Sequence, residues 1–93
     1  MSKDLRRNES AWERTVRKEE RKLDETNRAK LFGTRLTQAI NNSELSIKDI
    51  EKETFIDPSV MYNYMRGKSS PKLYNVLLLA KALKIDISEL YPL

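Results

Sequence analysis

This chain predicts an all-α domain, on three observations. Apolar residues recur every three or four positions, at Phe32, Leu36, Ala39 and Ile40 and again at Leu73, Val76, Leu77, Ala80 and Leu83, which is the period of a helix with one buried side. Helix-start residues precede the candidate helices at Ser10, Ser46, Asp57, Ser70 and Asp86. With 39% hydrophobic residues in a chain of 93, there is material for one modest helical core and no second globular unit.

The first helix is predicted from about Ala11, because Ser10 and Glu13 have the form of a capping box in which each side chain satisfies a backbone donor of the other residue. Glu13 with Arg17 and Asp24 with Arg28 stand at the i,i+4 spacing, acid first, each adding only ~0.2–0.5 kcal/mol. Leu5, Trp12, Val16 and Leu23 trace one narrow apolar stripe. Three readings of that stripe stand side by side: packing back on the domain, pairing with a second copy, or a solvated arm. Thr26 and Asn27 are able to cap a new helix, yet nothing forces a break there.

The next helix carries Phe32, Leu36, Ala39 and Ile40 inward and ends at Asn41-Asn42-Ser43. Ser46 caps a short helix reaching about Glu53, with Ile47 and Ile50 inward. Asp57-Pro58 starts another: Asp57 accepts from the exposed amides of the first turn, and Pro58 occupies the first helical position, where its missing donor is no loss. Gly67 ends it. Ser70-Pro71 repeats the device for a helix whose Leu73, Val76, Leu77, Ala80 and Leu83 form the broadest apolar face. Asp86 with Glu89 opens a last short turn of helix.

Cysteine and histidine are both absent, which excludes disulfides and thiolate metal sites and removes the commonest general base and metal ligand. No nucleophile–base pair, metal cluster or phosphate loop is visible, so no catalytic residue, metal or cofactor is expected. Met1 to Arg17 is charged throughout, unlike a signal peptide, and no apolar run nears the ~20 residues of a membrane helix. A cytoplasmic protein without membrane contact is the expectation. Lys and Arg outnumber Asp and Glu 18 to 14, a net +4 compatible with a polyanionic partner.

The stretch from Leu45 to Gly67 reads as two short helices joined by a tight turn, the second ending in Arg66-Gly67. Phe32-Gly33-Thr34-Arg35-Leu36 upstream and Pro71 to Leu90 downstream complete a pattern that resembles the Cro/repressor (XRE) family of helix-turn-helix DNA-binding proteins. The chain from Leu45 to Pro92 is similar without a gap to the lambda-repressor-like DNA-binding domain. The resemblance implies five helices, with the charged N-terminal helix added to them. It divides the chain into an extension, 1–28, helical from about residue 11, and a helix-turn-helix domain, 29–93, with helix two at about 46–54 and the recognition helix at about 58–66.

On the recognition helix Val60, Met61, Tyr64 and Met65 lie on one side and Ser59, Tyr62, Asn63 and Arg66 on the other. What the resemblance implies is a helix in the major groove of double-stranded DNA, with Pro58, Ser59, Tyr62 and Asn63 at bases and Ser46, Arg66, Lys68, Ser69 and Lys72 at phosphates. Asn63 is the strongest reader, since its amide matches N6 and N7 of adenine. The expected function is a sequence-specific transcription regulator, a small phage, plasmid or mobile-element repressor acting by operator occlusion. The rival expectation is a protein-interaction adaptor or inhibitor on the same fold.

One short helix reads few bases, so a homodimer is expected. Trp12, Val16 and Leu23, or Ile87 and Leu90, are the candidates for self-association. The N-terminal helix is also a candidate surface for a different protein partner. By analogy of position, Lys3, Arg6 and Arg7 form a candidate arm along the duplex.

The chain also departs from the family pattern. Ile47 stands where a phosphate-holding glutamine is usual, Glu51 where a small alanine is usual, and Phe55 where the turn favours glycine at positive φ. Ile40 and Met65 replace a semi-buried ion pair with an apolar one, and are expected to touch.

Overall fold

The structure is a computed structural model that describes residues 11–91; within its first helix the side chains of residues 11–17, 19, 20, 22 and 23 are outside the description. Lys3, Arg6 and Arg7 therefore lie outside the described residues, as do the side chains of Trp12, Val16 and Leu23. Five helices follow in order among the described residues: α1 (Ala11–Asn42), α2 (Ile47–Thr54), α3 (Pro58–Met65), α4 (Leu73–Leu83) and α5 (Ile87–Leu90).

The charged N-terminal helix and the first helix of the body are one element. α1 runs through 32 residues without a break, a length of ~48 Å at 1.5 Å per residue. Between Asp24 and Leu31 there is neither glycine nor proline, and Arg28 meets Asp24 at 3.4 Å across one turn, so the helix continues through Thr26 and Asn27. Among the described side chains of α1, burial begins at Ala29 and continues through Phe32, Leu36 and Ile40.

Gly33 allows α1 to press against α3. A Cβ at that position would stand 2.4 Å from the Tyr64 carbonyl oxygen and 2.8 Å from that of Met65. Beside it, the Phe32 ring meets Tyr64 edge-on at 5.6 Å and Tyr91 at 6.3 Å, tying α1 to α3 and to the chain after α5. The Tyr64 hydroxyl accepts from Asn75 Nδ2 at 2.9 Å, which fastens α4 to the same point.

Ser46 and Asp49 form a full capping box at the start of α2: the Ser46 hydroxyl accepts from the Asp49 amide and Asp49 Oδ2 accepts from the Ser46 amide. Thr54, buried at the other end, donates its hydroxyl to the Ile50 carbonyl and accepts from the Ile56 amide, so its polar atom is satisfied. α3 starts at Pro58 under the Asp57 cap. It ends in a Schellman motif, in which the Gly67 amide donates to Tyr64 and the Lys68 amide to Asn63, with Gly67 at φ 71°.

Phe55 adopts the left-handed conformation, φ 59° and ψ 20°, that its place in the turn requires, and its amide donates to the Glu51 carbonyl at 2.7 Å. No pocket holds the ring, which is 91% exposed. The strain of a non-glycine residue there, ~1–2 kcal/mol, is thus uncompensated by packing. Phe55→Gly is expected to raise stability by about 0.5–1 kcal/mol once glycine's greater unfolded freedom is subtracted, a gain of a few degrees in Tm by circular dichroism. A lower Tm would mean that the turn does not have this geometry.

α4 corrects two expectations. Lys72 has extended backbone and no side-chain cap bond, so the helix starts at Leu73 and Ser70-Pro71 lies in the approach to it. Its inward face is Val76, Leu79, Ala80 and Leu83, whereas Leu73 and Leu77 point out, 61% and 48% exposed, beside an exposed Tyr74. The run Leu77-Leu78-Leu79 puts Leu77 and Leu79 on roughly opposite sides of the helix, and the side of Leu79 fills the core.

α5 opens with a second capping box, Asp86 with Glu89. Leu90, a candidate for self-association, is instead fully buried in the chain's own core, and Ile87 is half-buried against it. Ile40 and Met65, in place of an ion pair, both join this core, Ile40 buried and Met65 half-buried.

Candidate nucleic-acid interface

α2, the Phe55 turn and α3 present one continuous ridge, because the opposite face of α3 is committed to the core through Met61 and Tyr64. The face left outside carries Ser59, Tyr62, Asn63 and Arg66, all exposed, with Pro58 half-buried at its head. Those residues recur at offsets of three and four, so they stand in a row along one side of the helix.

Each member of the row has a distinct state. The Ser59 hydroxyl donates to Asp57 Oδ1 at 2.7 Å and the Ser59 amide donates to the same oxygen at 2.8 Å. Asn63 gives its carbonyl to the Lys68 amide, while its side-chain amide meets no partner among the described residues and keeps its donors and acceptor for something else. Arg66 stacks its guanidinium 6.0 Å from the centre of the Tyr62 ring, a cation–π contact that steers the charge along the exposed face.

Positive charge gathers at the far end of α3. Lys68, Ser69 and Lys72 are exposed in the loop that follows Arg66. Lys30 of α1 joins them: its Cα and Cγ lie 3.0 Å and 3.2 Å from where a Gly67 Cβ would sit, so its backbone runs against the chain between Arg66 and Lys68. Sequence reasoning missed Lys30, since only the close approach of α1 to Gly67 brings it there. The presence of glycine at both 33 and 67 was the available signal.

At the start of α2 the Ser46 hydroxyl accepts from the Asp49 amide and lies against the Asp49 carboxylate, so it is engaged within the cap. Ile47, in contrast, packs against the core, which leaves no side chain at that position to hold a phosphate. Glu51 is half-buried. The ridge is therefore anchored by fewer side-chain donors at α2 than at the α3 end.

Two carboxylates beside the ridge sit below their ordinary pKa. Asp57 is lowered by the Ser59 hydroxyl and then the Ser59 amide, and Asp49 by the Ser46 amide and then the Ser46 hydroxyl. Both ionise more readily folded than unfolded, so the stability they contribute is present above the unfolded value near 3.8 and is lost as pH falls through the lower folded values. Melting temperature is accordingly expected to drop on acidification below about pH 4. Asp57→Asn, which keeps the cap without titrating, should lessen the drop in the same melting series, and an identical acid response would contradict the assignment.

Among the described residues no helix is long and apolar enough to cross a membrane, and no group of three or more acidic, histidine or cysteine side chains is placed to hold a metal ion.

The chain is similar to the crystal structure of the restriction-modification controller protein C.AhdI from Aeromonas hydrophila, at 32% identity and a TM-score of 0.63. The similarity covers 68% of this chain and 96% of that one. No family model and no curated protein matches the chain. A third of the residues are thus shared across almost the whole of a controller protein, on the same helical frame with the α2–turn–α3 ridge exposed, and the chain belongs to the Cro/repressor-type (XRE) family of helix-turn-helix DNA-binding regulators.

Proposed function

We propose that this protein is a cytoplasmic, sequence-specific regulator of transcription that binds double-stranded DNA as a homodimer and represses by occluding its operator. The observation that carries the reading is the row Ser59, Tyr62, Asn63 and Arg66, held outward by the burial of Met61 and Tyr64. With α3 in the major groove, Pro58, Ser59, Tyr62 and Asn63 face base edges, and Ser46, Arg66, Lys68, Ser69, Lys72 and the newly placed Lys30 face phosphates. Palindromic half-sites about one helical turn apart demand two copies.

The setting we propose is a phage, a plasmid or another mobile element. Because the similar protein of known structure is a restriction-modification controller, the genes of such a system are the first targets to test. Residues 1–28 are the extension to the DNA-binding domain in this account, with Lys3, Arg6 and Arg7 as an arm along the duplex and the Trp12, Val16 and Leu23 stripe as a pairing surface.

Salt dependence tests the phosphate contacts. Binding to a duplex should weaken as salt rises, and each of Arg66→Ala, Lys68→Ala and Lys72→Ala should weaken binding to every sequence alike while lowering the log–log slope by about 0.9. Slopes unchanged in all three variants would count against the proposed orientation.

A second reading, a helix-turn-helix adaptor or inhibitor of another protein, is favoured by one observation. Phe55, Leu73, Tyr74 and Leu77 remain exposed, more apolar surface than phosphate contact requires. Under that reading, substitutions at these four residues abolish function and substitutions at Asn63 and Arg66 do not.

A further inference from the structure

We infer that Asp57 and Ser59 together read the exocyclic amine of one base in each half-site, cytosine in preference to adenine; this rests on the DNA-binding reading above. The sequence allots Ser59 a place on the exposed row and Asp57 a capping role, with cytosine readout as the lesser alternative for Asp57. The geometry joins them into one chemical unit. Ser59 has a single hydroxyl proton, and it is spent on Asp57 Oδ1 at 2.7 Å. An ionised carboxylate accepts and does not donate, so the bond has only this direction at neutral pH.

Ser59 Oγ is left with lone pairs alone. Asp57 Oδ2 has no partner among the described residues, because both bonds from Ser59 go to Oδ1. Both residues are exposed. The head of the reading row therefore offers two hydrogen-bond acceptors, no side-chain donor and one negative charge.

Base edges in the major groove answer such a surface unequally. Guanine shows two acceptors, N7 and O6, and thymine shows O4, so each would face the carboxylate with acceptor against acceptor. Adenine shows a donor, N6, next to the acceptor N7, and cytosine shows the N4 donor alone. The ordering is cytosine, then adenine, with guanine and thymine rejected. The same surface repels phosphate, which argues against a backbone role for Ser59. Asn63 lies one turn on, ~6 Å along the axis, with both donor and acceptor available, so the two positions read by different rules.

The test uses the full-length protein and the duplex it selects from a random library. Each cytosine of the half-site is replaced in turn by N4-methylcytosine, and each adenine by N6-methyladenine. In a paired base the methyl takes the place of the amine proton that faces the major groove. At one position per half-site wild-type binding should fall by about tenfold, the scale of a single mismatch. Methylcytosine marks cytosine as the base, and methyladenine marks adenine.

Ser59→Ala and Asp57→Asn should each blunt that sensitivity. Asp57→Asn, which caps as well as aspartate, should also shift the preference at that position toward guanine or thymine, because its amide now donates. Specific binding that ignores every such methyl, or keeps the same base preference in both variants, overturns the inference and leaves the DNA-binding reading standing. A folded wild-type protein that selects no sequence overturns both.

Discussion

Gly33→Ala is expected to cost about 3 kcal/mol or more, the upper range for overpacking, because nothing near the added methyl can turn aside. The three closest atoms are the Tyr64 and Met65 carbonyl oxygens and the Gly67 amide nitrogen, at 2.4, 2.8 and 3.0 Å, all of them backbone. A flexible side chain would swing away; a helix end does not. α1 would have to retreat from α3, opening the edge-on contact of Phe32 with Tyr64 and the burial of Leu36 behind it. In a domain of this size each kcal/mol shifts Tm by about 4–8 °C, so a loss of about 12–24 °C should appear in a thermal melt followed by circular dichroism. A melt within a degree or two of wild type would mean that the two helices do not approach as described.

Asn63→Ala carries the largest expected effect on function. The side chain is exposed and unpaired among the described residues, so its removal should change stability by no more than about 0.5 kcal/mol. Binding to the selected sequence should fall by 1–3 kcal/mol, roughly 5- to 150-fold, while binding to random duplex stays as it was. Arg66→Ala makes the contrast, with a loss shared by all sequences. A variant that weakens both kinds of binding equally would place Asn63 at a phosphate.

The helix ends at Ser46, Asp57, Gly67 and Asp86 were legible because each is written in local chemistry, whereas Ser70-Pro71 carries the same residue types and only leads up to α4. Ser46, Asp57 and Asp86 accept from amides within three residues, and Gly67 supplies the positive φ that ends α3. The outward face of α3 was legible for the same reason, since Met61 and Tyr64 define its buried side by spacing alone.

What escaped depends on parts of the chain distant in sequence. Leu73 and Leu77 have the period of a buried face, and only the fit of Leu79 and Val76 into the space between the other helices turns them outward. Leu90 looked available because a short terminal helix usually offers surface, yet the core closes on it. Phe55 shows the opposite case: the backbone demand of the turn was visible, and the exposure of the ring was not.

Within the candidate interface, the residue types could be read from the pattern, whereas their chemical states could not. Ser59 as a hydroxyl is both donor and acceptor, and its bond to Asp57 removes half of that choice. Lys30 belongs to the interface only through the closeness of α1 to Gly67.

The most direct test of a dimeric operator-binding regulator is selection of a random duplex library on the purified full-length protein at near-physiological salt. The account predicts enrichment of an inverted repeat whose half-sites lie about one helical turn apart, ~34 Å centre to centre. A folded sample that enriches no sequence would contradict it.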